Sequence, residues 1–203
     1  MLAEYKAGTD MLNDLKFLTL SSDEIADEKT IQAAVERLQG TAPETPVVFV
    51  AALGQTYKTL AEAGEKSADQ DLVLASALAE GLRTYHMQLA QQVTSPAVFR
   101  ETRSLLSGLF EELSDLLKGL CLLEEFTEQA ARILDRYGER AAAIMVSHAL
   151  RSRDVQSACL STREIFQEPD DVWKEVQELV QKGSIPVLPL SLHGSGASIR
   201  AQK

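Results

Sequence analysis

The chain alternates between short, continuous apolar runs and longer stretches in which apolar residues recur every three to four positions. LKFLTL (15–20), VVFVAAL (47–53), VQSACLS (155–161) and IPVLPL (185–190) are of the first kind. A run of this length that is rich in β-branched residues reads as a strand, and one with no polar alternation as a strand buried on both faces. The first strand is expected at about 14–20 and opens into Ser22, read as the cap of a helix with Asp23 and Glu24 in its positive first turn and Gly40 at its end. TAPETP is a loop, and Gly54 closes the second strand ahead of a short helix. Pro189 lies inside the last run, which predicts an edge strand or one already leaving the sheet.

The middle of the chain has the other period. Over 69–93, Leu72, Ala75, Leu78, Leu82, Tyr85, Leu89 and Val93 mark one helix face. Ser95-Pro96 breaks and restarts the helix, serine as cap and proline at the first helical position. A second long helix to about Lys118 carries Leu105, Leu109, Leu113, Leu116 and Leu120, and the two form an antiparallel hairpin. Thr127 caps a third long helix reaching Arg151, and a shorter helix over 171–182 ends at Gly183. Strands alternating with helices predict an α/β fold, a parallel, helix-covered sheet of about four strands. A long helical hairpin (about 69–120) is inserted between its second and third strands. Residues 1–13 form a lead-in, 14–192 the folded body, and the polar Gly/Ser-rich 193–203 a flexible tail.

Composition narrows the function more than the fold. Of 203 residues, 45% are hydrophobic, which supplies a core, and the net charge of −10 argues against nucleic acid and against an anionic membrane surface. No apolar run reaches the length of a membrane helix. The opening MLAEYKAGTD has neither the basic flank nor the apolar core of a signal peptide, so the expected compartment is the cytosol, a cytoplasmic protein. Cys121 and Cys159 sit in apolar runs and read as small buried hydrophobes. Neither they nor His86, His148 and His193 have metal-ligand spacing, so no metal is expected.

Four segments carry a resemblance to the aspartokinases of the amino-acid kinase family. LKFLTLSS is similar to the opening strand of that family, K-F-G-G-T-S, and VVFVAALGQTYKTLAEAGEKS to its V-V-V-S-A-L-G-x-T-T-x-L-L. RILDRYGERAAAIMVSHALRSRDVQSACLSTREIF resembles S-x-G-E-x-x-S followed by a helix ending A-L-R-x-R-D-V, and GSIPVLPLSLHG resembles K-I-P-V-V-T-G-F-I-G. The family transfers phosphate from ATP to the side-chain carboxylate of L-aspartate, by positioning and charge neutralisation rather than covalent chemistry. The resemblance implies a catalytic role for Lys16, if the chain is active. It implies substrate binding by Gly54, Thr56, Gly138 and Glu139. On residue type alone, Lys16 is equally a solvated strand-end lysine, and Glu139 a helix-surface acid paired with neighbouring arginines.

The departures from the family pattern concern phosphate. Leu18 and Thr19 replace the glycines whose bare backbone approaches phosphate oxygens, and Leu20 replaces a hydroxyl residue. Ala51, Arg136 and Ala142 replace serines, and Leu190 and His193 replace glycines. The family's nucleotide-binding segment G-R-T-T-T-L-G-R-G-G-S-D has no counterpart in these 203 residues. The expectation is a degenerate aspartokinase-like N-terminal lobe, a pseudoenzyme needing no cofactor and acting as a binding, assembly or regulatory partner. The alternative is an active kinase using Mg-ATP, with its nucleotide lobe on another chain. A family sheet normally runs through both lobes. One lobe alone leaves an open edge, so a homodimer or a larger protein partner is expected, a full-length aspartokinase or pathway enzyme among the candidates, with L-aspartate as a possible ligand. A third reading sets the resemblance aside and treats the long helices as a protein-interaction surface.

Overall fold

The computed structural model describes residues 15–160 and 169–192. The lead-in, the tail and most of the turn expected at 162–171 lie outside these residues. The four apolar runs become four parallel strands, β1 (Phe17–Leu20), β2 (Val47–Val50), β3 (Ser157–Cys159) and β4 (Ile185–Pro189), in the order β1-β2-β4-β3. Six α-helices accompany them among the described residues: α1 (Glu28–Thr41), α2 (Thr56–Ala68), α3 (Leu72–Val93), α4 (Pro96–Leu123), α5 (Glu128–Arg151) and α6 (Pro169–Gln181). This is the α/β class that the periodicities predict, with the α3–α4 hairpin between the second and third strands.

Strand β2 explains why its run has no polar alternation. Val48 and Val50 pack with Leu20, Ile185 and Val187 against α1 and α5, while Val47 and Phe49 pack on the opposite face with Leu188, Val172, Trp173 and Val176. On that second face the rings of Phe17 and Phe49 stack at 6.1 Å and Trp173 meets Phe17 edge-on at 6.1 Å. Helix α5 is the other buried element: every residue from 138 to 150 is buried. One side of it covers the sheet and the other receives the hairpin.

Three expectations need correction. The first helix does not begin at Ser22. A single 3₁₀ turn (Asp23–Ile25) comes first, and α1 starts after Asp27. Asp27 accepts the Thr30 amide (2.8 Å) while its own N–H donates to Thr30 Oγ1 (2.9 Å), a reciprocal cap that outcompetes a serine with no side-chain bond. Pro189 does not put its strand at the edge, because β4 lies between β2 and β3; it is the last residue of the strand, where the chain leaves the sheet, as the other half of the expectation has it. Ile185 N–H donates to Gln156 O and Leu160 N–H to Val187 O, so residues 185, 187 and 189 face β3, and 186 and 188 face β2. Pro186 thus meets the β2 side before pairing begins at Val48, and Pro189 meets the β3 side after β3 has ended at Cys159. Neither ring removes a ladder bond. Finally, Cys121 and Cys159 are half-buried rather than buried, because one sits in the last turn of α4 and the other on an outer strand, and they form no disulfide.

The hairpin is tied to α5 by polar contacts between apolar layers. Thr102 Oγ1 donates to Val98 O (2.9 Å) and so accepts from His148 Nδ1 (2.7 Å), which leaves His148 Nε2 to accept from Arg151 (3.2 Å). Arg151 in turn holds both oxygens of Glu101 (2.8 and 3.0 Å). His86 in α3 is fully buried against the rings of Tyr85 and Phe110, with Nδ1 bonded to Leu82 O (2.7 Å). Burial pushes it from 6.5 down to about 4, and burial also lowers His148.

These shifts make acid a denaturant of the helical layer. Below pH 6.5 the unfolded chain binds a proton at His86 that the folded chain refuses until about pH 4. Stability conferred by the neutral ring is complete above pH 6.5 and falls by about 3 kcal/mol across that window, at about 1.4 kcal/mol per pKa unit. Urea denaturation from pH 7.5 to 4.5 is expected to show the decline. His86→Leu is expected to flatten it, leaving a residual slope from His148.

Candidate functional site

The register places three strand ends side by side, Leu20 opposite Val50 and Val50 opposite Pro189. In parallel α/β sheets ligands are held at this carboxyl end, where loops leave the strands. Here the segments are Ser21-Ser22, 51–54 and the 3₁₀ turn Leu190–Leu192, and α5 passes beneath them.

Glu139 of α5 is the centre of this region. It is only 5% exposed, accepts the Tyr57 hydroxyl proton at Oε1 (2.8 Å) and the Ser191 amide at Oε2 (2.9 Å), and so joins α5 to α2 and to the exit of β4. The reading of Glu139 as a surface acid paired with arginine is therefore corrected. The adjacent Arg140 turns to Glu112 of α4 (3.2 Å) and lies over the Tyr137 ring, on the hairpin side of the helix. Tyr57 is pushed well above its usual range, first by burial and then by the Glu139 charge, with the nearby Ala52 amide opposing the shift. Asp135, one turn before Glu139, is raised by burial and by the same carboxylate.

Gly138 lets α5 approach the end of β2. A Cβ there would stand 2.8 Å from Ala52 Cβ, 3.0 Å from Thr56 Cγ2 and 3.1 Å from Leu60 Cδ1. Thr56 is buried against it, and its hydroxyl has no hydrogen-bond partner. Gly54 takes φ +46, in the left-handed region that glycine enters at no steric cost, and its N–H donates to Ser22 O (3.3 Å). Thr56 and Gly138 are thus packed together with Glu139 next along α5, while Gly54, two residues before Thr56, lies beside Ala26 and Tyr85. Lys16 does not join them. It precedes β1 at the amino end of the sheet, roughly 13 Å of strand from Leu20, and is paired with Glu44 (2.5 Å) in the turn before β2.

Sequence reasoning missed Tyr57, Ser191 and Glu24. Glu24 had a readable signal, the S-x-x-E spacing from Ser21: both the amide and the hydroxyl of Ser21 donate to Glu24 Oε2 (2.9 and 3.0 Å), and Arg37 holds Oε1 (2.8 Å). The Ser21 amide first, and Arg37 with it, keeps Glu24 below the usual carboxylate range. Tyr57 and Ser191 had none, because each meets Glu139 across a large sequence separation. Among the described residues no three His, Cys, Asp or Glu side chains come together as a metal site, and no helix is long and apolar enough to cross a membrane.

With strand order, helical insertion and the Glu139 region in view, comparison with solved structures is decisive for the fold. Crystal structures of E. coli aspartokinase III superpose on the chain: one in complex with aspartate and ADP in the R-state (TM-score 0.67, 15% identity, 86% of this chain), the other with lysine and aspartate in the T-state (TM-score 0.66, 15% identity, 87% of this chain). The chain has an aspartokinase-like fold. It spans 40% of the length of either aspartokinase chain. No protein-family model matches it, and no curated protein matches it by sequence.

Glu139 is expected to matter to folding as well as to any ligand. Glu139→Ala removes the acceptor of two part-buried bonds, to the Tyr57 hydroxyl and the Ser191 amide, and should cost about 1–3 kcal/mol, whereas Tyr57→Phe removes one bond and should cost about 1 kcal/mol. Urea midpoints at constant slope measure both. Equal, small effects would mean that Glu139 faces water.

Proposed function

We propose that the chain is a non-catalytic, aspartokinase-like module that works by binding and assembly. One observation carries this reading. Three backbone donors at the strand ends, which a phosphate would need, are taken by the chain's own groups: Ser21 N–H by Glu24, Gly54 N–H by Ser22 O and Ser191 N–H by Glu139. Two of the three acceptors are carboxylates. An incoming triphosphate would have to displace them and then tolerate their charge, the reverse of the preorganised positive field that phosphoryl transfer requires. The position of Lys16 at the far end of the sheet, paired with Glu44, agrees with this. On this reading no cofactor is used, and L-aspartate remains a candidate ligand at Glu139. The expected partner is a second copy or a larger protein, since β1 and β3 are the outer strands of the described sheet.

A second reading draws support from the packing of Thr56 on Gly138 beside Glu139 at the strand ends, with Gly54 two residues before Thr56. It is an active kinase that phosphorylates the side-chain carboxylate of L-aspartate with Mg-ATP, its nucleotide lobe supplied by another chain. Glu139 would then exchange Tyr57 and Ser191 for the substrate ammonium.

Isothermal titration calorimetry separates the two. The proposal expects no heat with Mg-ATP, whether or not L-aspartate is present. Binding of both, or ATP turnover by the purified chain with an amino acid and no other polypeptide, overturns it. Assembly is read separately by size-exclusion chromatography with light scattering, where a clean monomer that forms no complex with an aspartokinase removes that part of the proposal.

A further inference from the structure

Among the described residues, the large aliphatic side chains left exposed are Val73, Leu74, Leu122 and Leu123, and all four lie at one end of the hairpin. Val73 is 84% exposed in the first turn of α3, and Leu122 and Leu123 are 85% and 73% exposed in the last turn of α4. The two-residue connection Thr94-Ser95 makes α3 and α4 antiparallel, so these turns share an end, and α4, the longer helix, carries its leucines past the start of α3. That end is about 15 Å along α5 from Gly138, at 1.5 Å per residue, so it is separate from the Glu139 region. The last turn of α4 is closed rather than open, with Glu124 at φ +55 donating its N–H to Leu120 O (3.0 Å).

The surplus charge around the patch is acidic. Glu124 and Glu125 follow the leucines directly, Asp69 and Asp71 precede α3, and all are exposed. The neighbouring bases are each held by an acid in their own helix or next turn, Lys66 by Asp69 (3.6 Å), Lys118 by Asp115 (2.8 Å) and Arg132 by Glu128 (2.6 Å). A ring of surplus acid around exposed leucines repels an identical patch and attracts a complementary one. We infer that the hairpin end is a docking surface for a cationic amphipathic helix of a partner protein, whose apolar face covers Leu122 and Leu123 and whose lysines or arginines face Glu124 and Glu125. The same acidity disfavours a second copy bound through this end, and an anionic lipid surface.

Fluorescence anisotropy of a labelled, 14-residue Leu/Lys amphipathic helix against the full chain tests this. Saturable binding is expected, and none for the Leu/Glu counterpart. Leu122→Ser with Leu123→Ser should weaken binding roughly tenfold or more, as loss of a central apolar anchor does. Glu124→Gln with Glu125→Gln should weaken it less and reduce its salt dependence. Any of these outcomes overturns the inference: no binding; equal binding by the leucine variant, which would make the attraction charge alone; self-association of the wild type that the leucine variant abolishes; or preference for zwitterionic lipid vesicles over the peptide. A fall of several degrees in the thermal midpoint of the leucine variant also overturns it, because the leucines would then be covered by the chain itself.

Discussion

Burial of α5 on all sides is the constraint from which the rest of the structure follows. A helix buried from residue 138 to 150 must be covered on every face, and in this chain no single layer does it. The sheet with α1 covers one side, through Leu20, Val48, Val50 and Val187, and the α3–α4 hairpin covers the other, through Leu106 and Leu109. The inserted hairpin is therefore a wall of the core, and the helices cannot be trimmed back to a bare sheet without exposing α5. The small residues at 141–143 allow this close approach from both sides.

The same burial decides what the polar residues of α5 can be. A carboxylate inside such a helix must find donors, and Glu139 finds one in α2 and one at the exit of β4. His148, further along, is held neutral between Thr102 and Arg151. Each polar group on α5 thereby pins an element that apolar contact alone would leave free to slide. The chemistry at the strand ends comes out of this arrangement. At the exits of β1, β2 and β4 the amides of Ser21, Gly54 and Ser191 bond to Glu24, Ser22 O and Glu139 of the same chain. Glu139 thereby joins α5, α2 and the exit of β4.

Much of this was legible without coordinates. The four apolar runs and the periodic helices are local signals, and the resemblance carried by GERAAAIMVSHALRSRDV led to the right fold because it combines a close-packing glycine, an acid and a long buried helix in one contiguous stretch. The errors arose where local chemistry competes. Ser22 and Asp27 are both plausible caps, and only the reciprocal bond with Thr30 separates them. Pro189 suggested an edge strand because proline lacks a donor, a penalty that vanishes when the neighbouring strand has already stopped. Lys16 matched a family lysine by its neighbour Phe17, yet it sits at the wrong end of a four-residue strand.

The sequence by itself determined the class of fold, the order of its elements and the long insertion, because hydrophobic period and turn chemistry are written within a few residues of one another. Only the tertiary structure decided the strand order, the partners of Glu139 and the grouping of the exposed leucines. Those depend on residues far apart in the chain, such as Tyr57 and Glu139 at a separation of 82 positions and Ser191 and Glu139 at 52. No local pattern encodes such a pairing, since it exists only once the sheet and the helical layer have closed around α5.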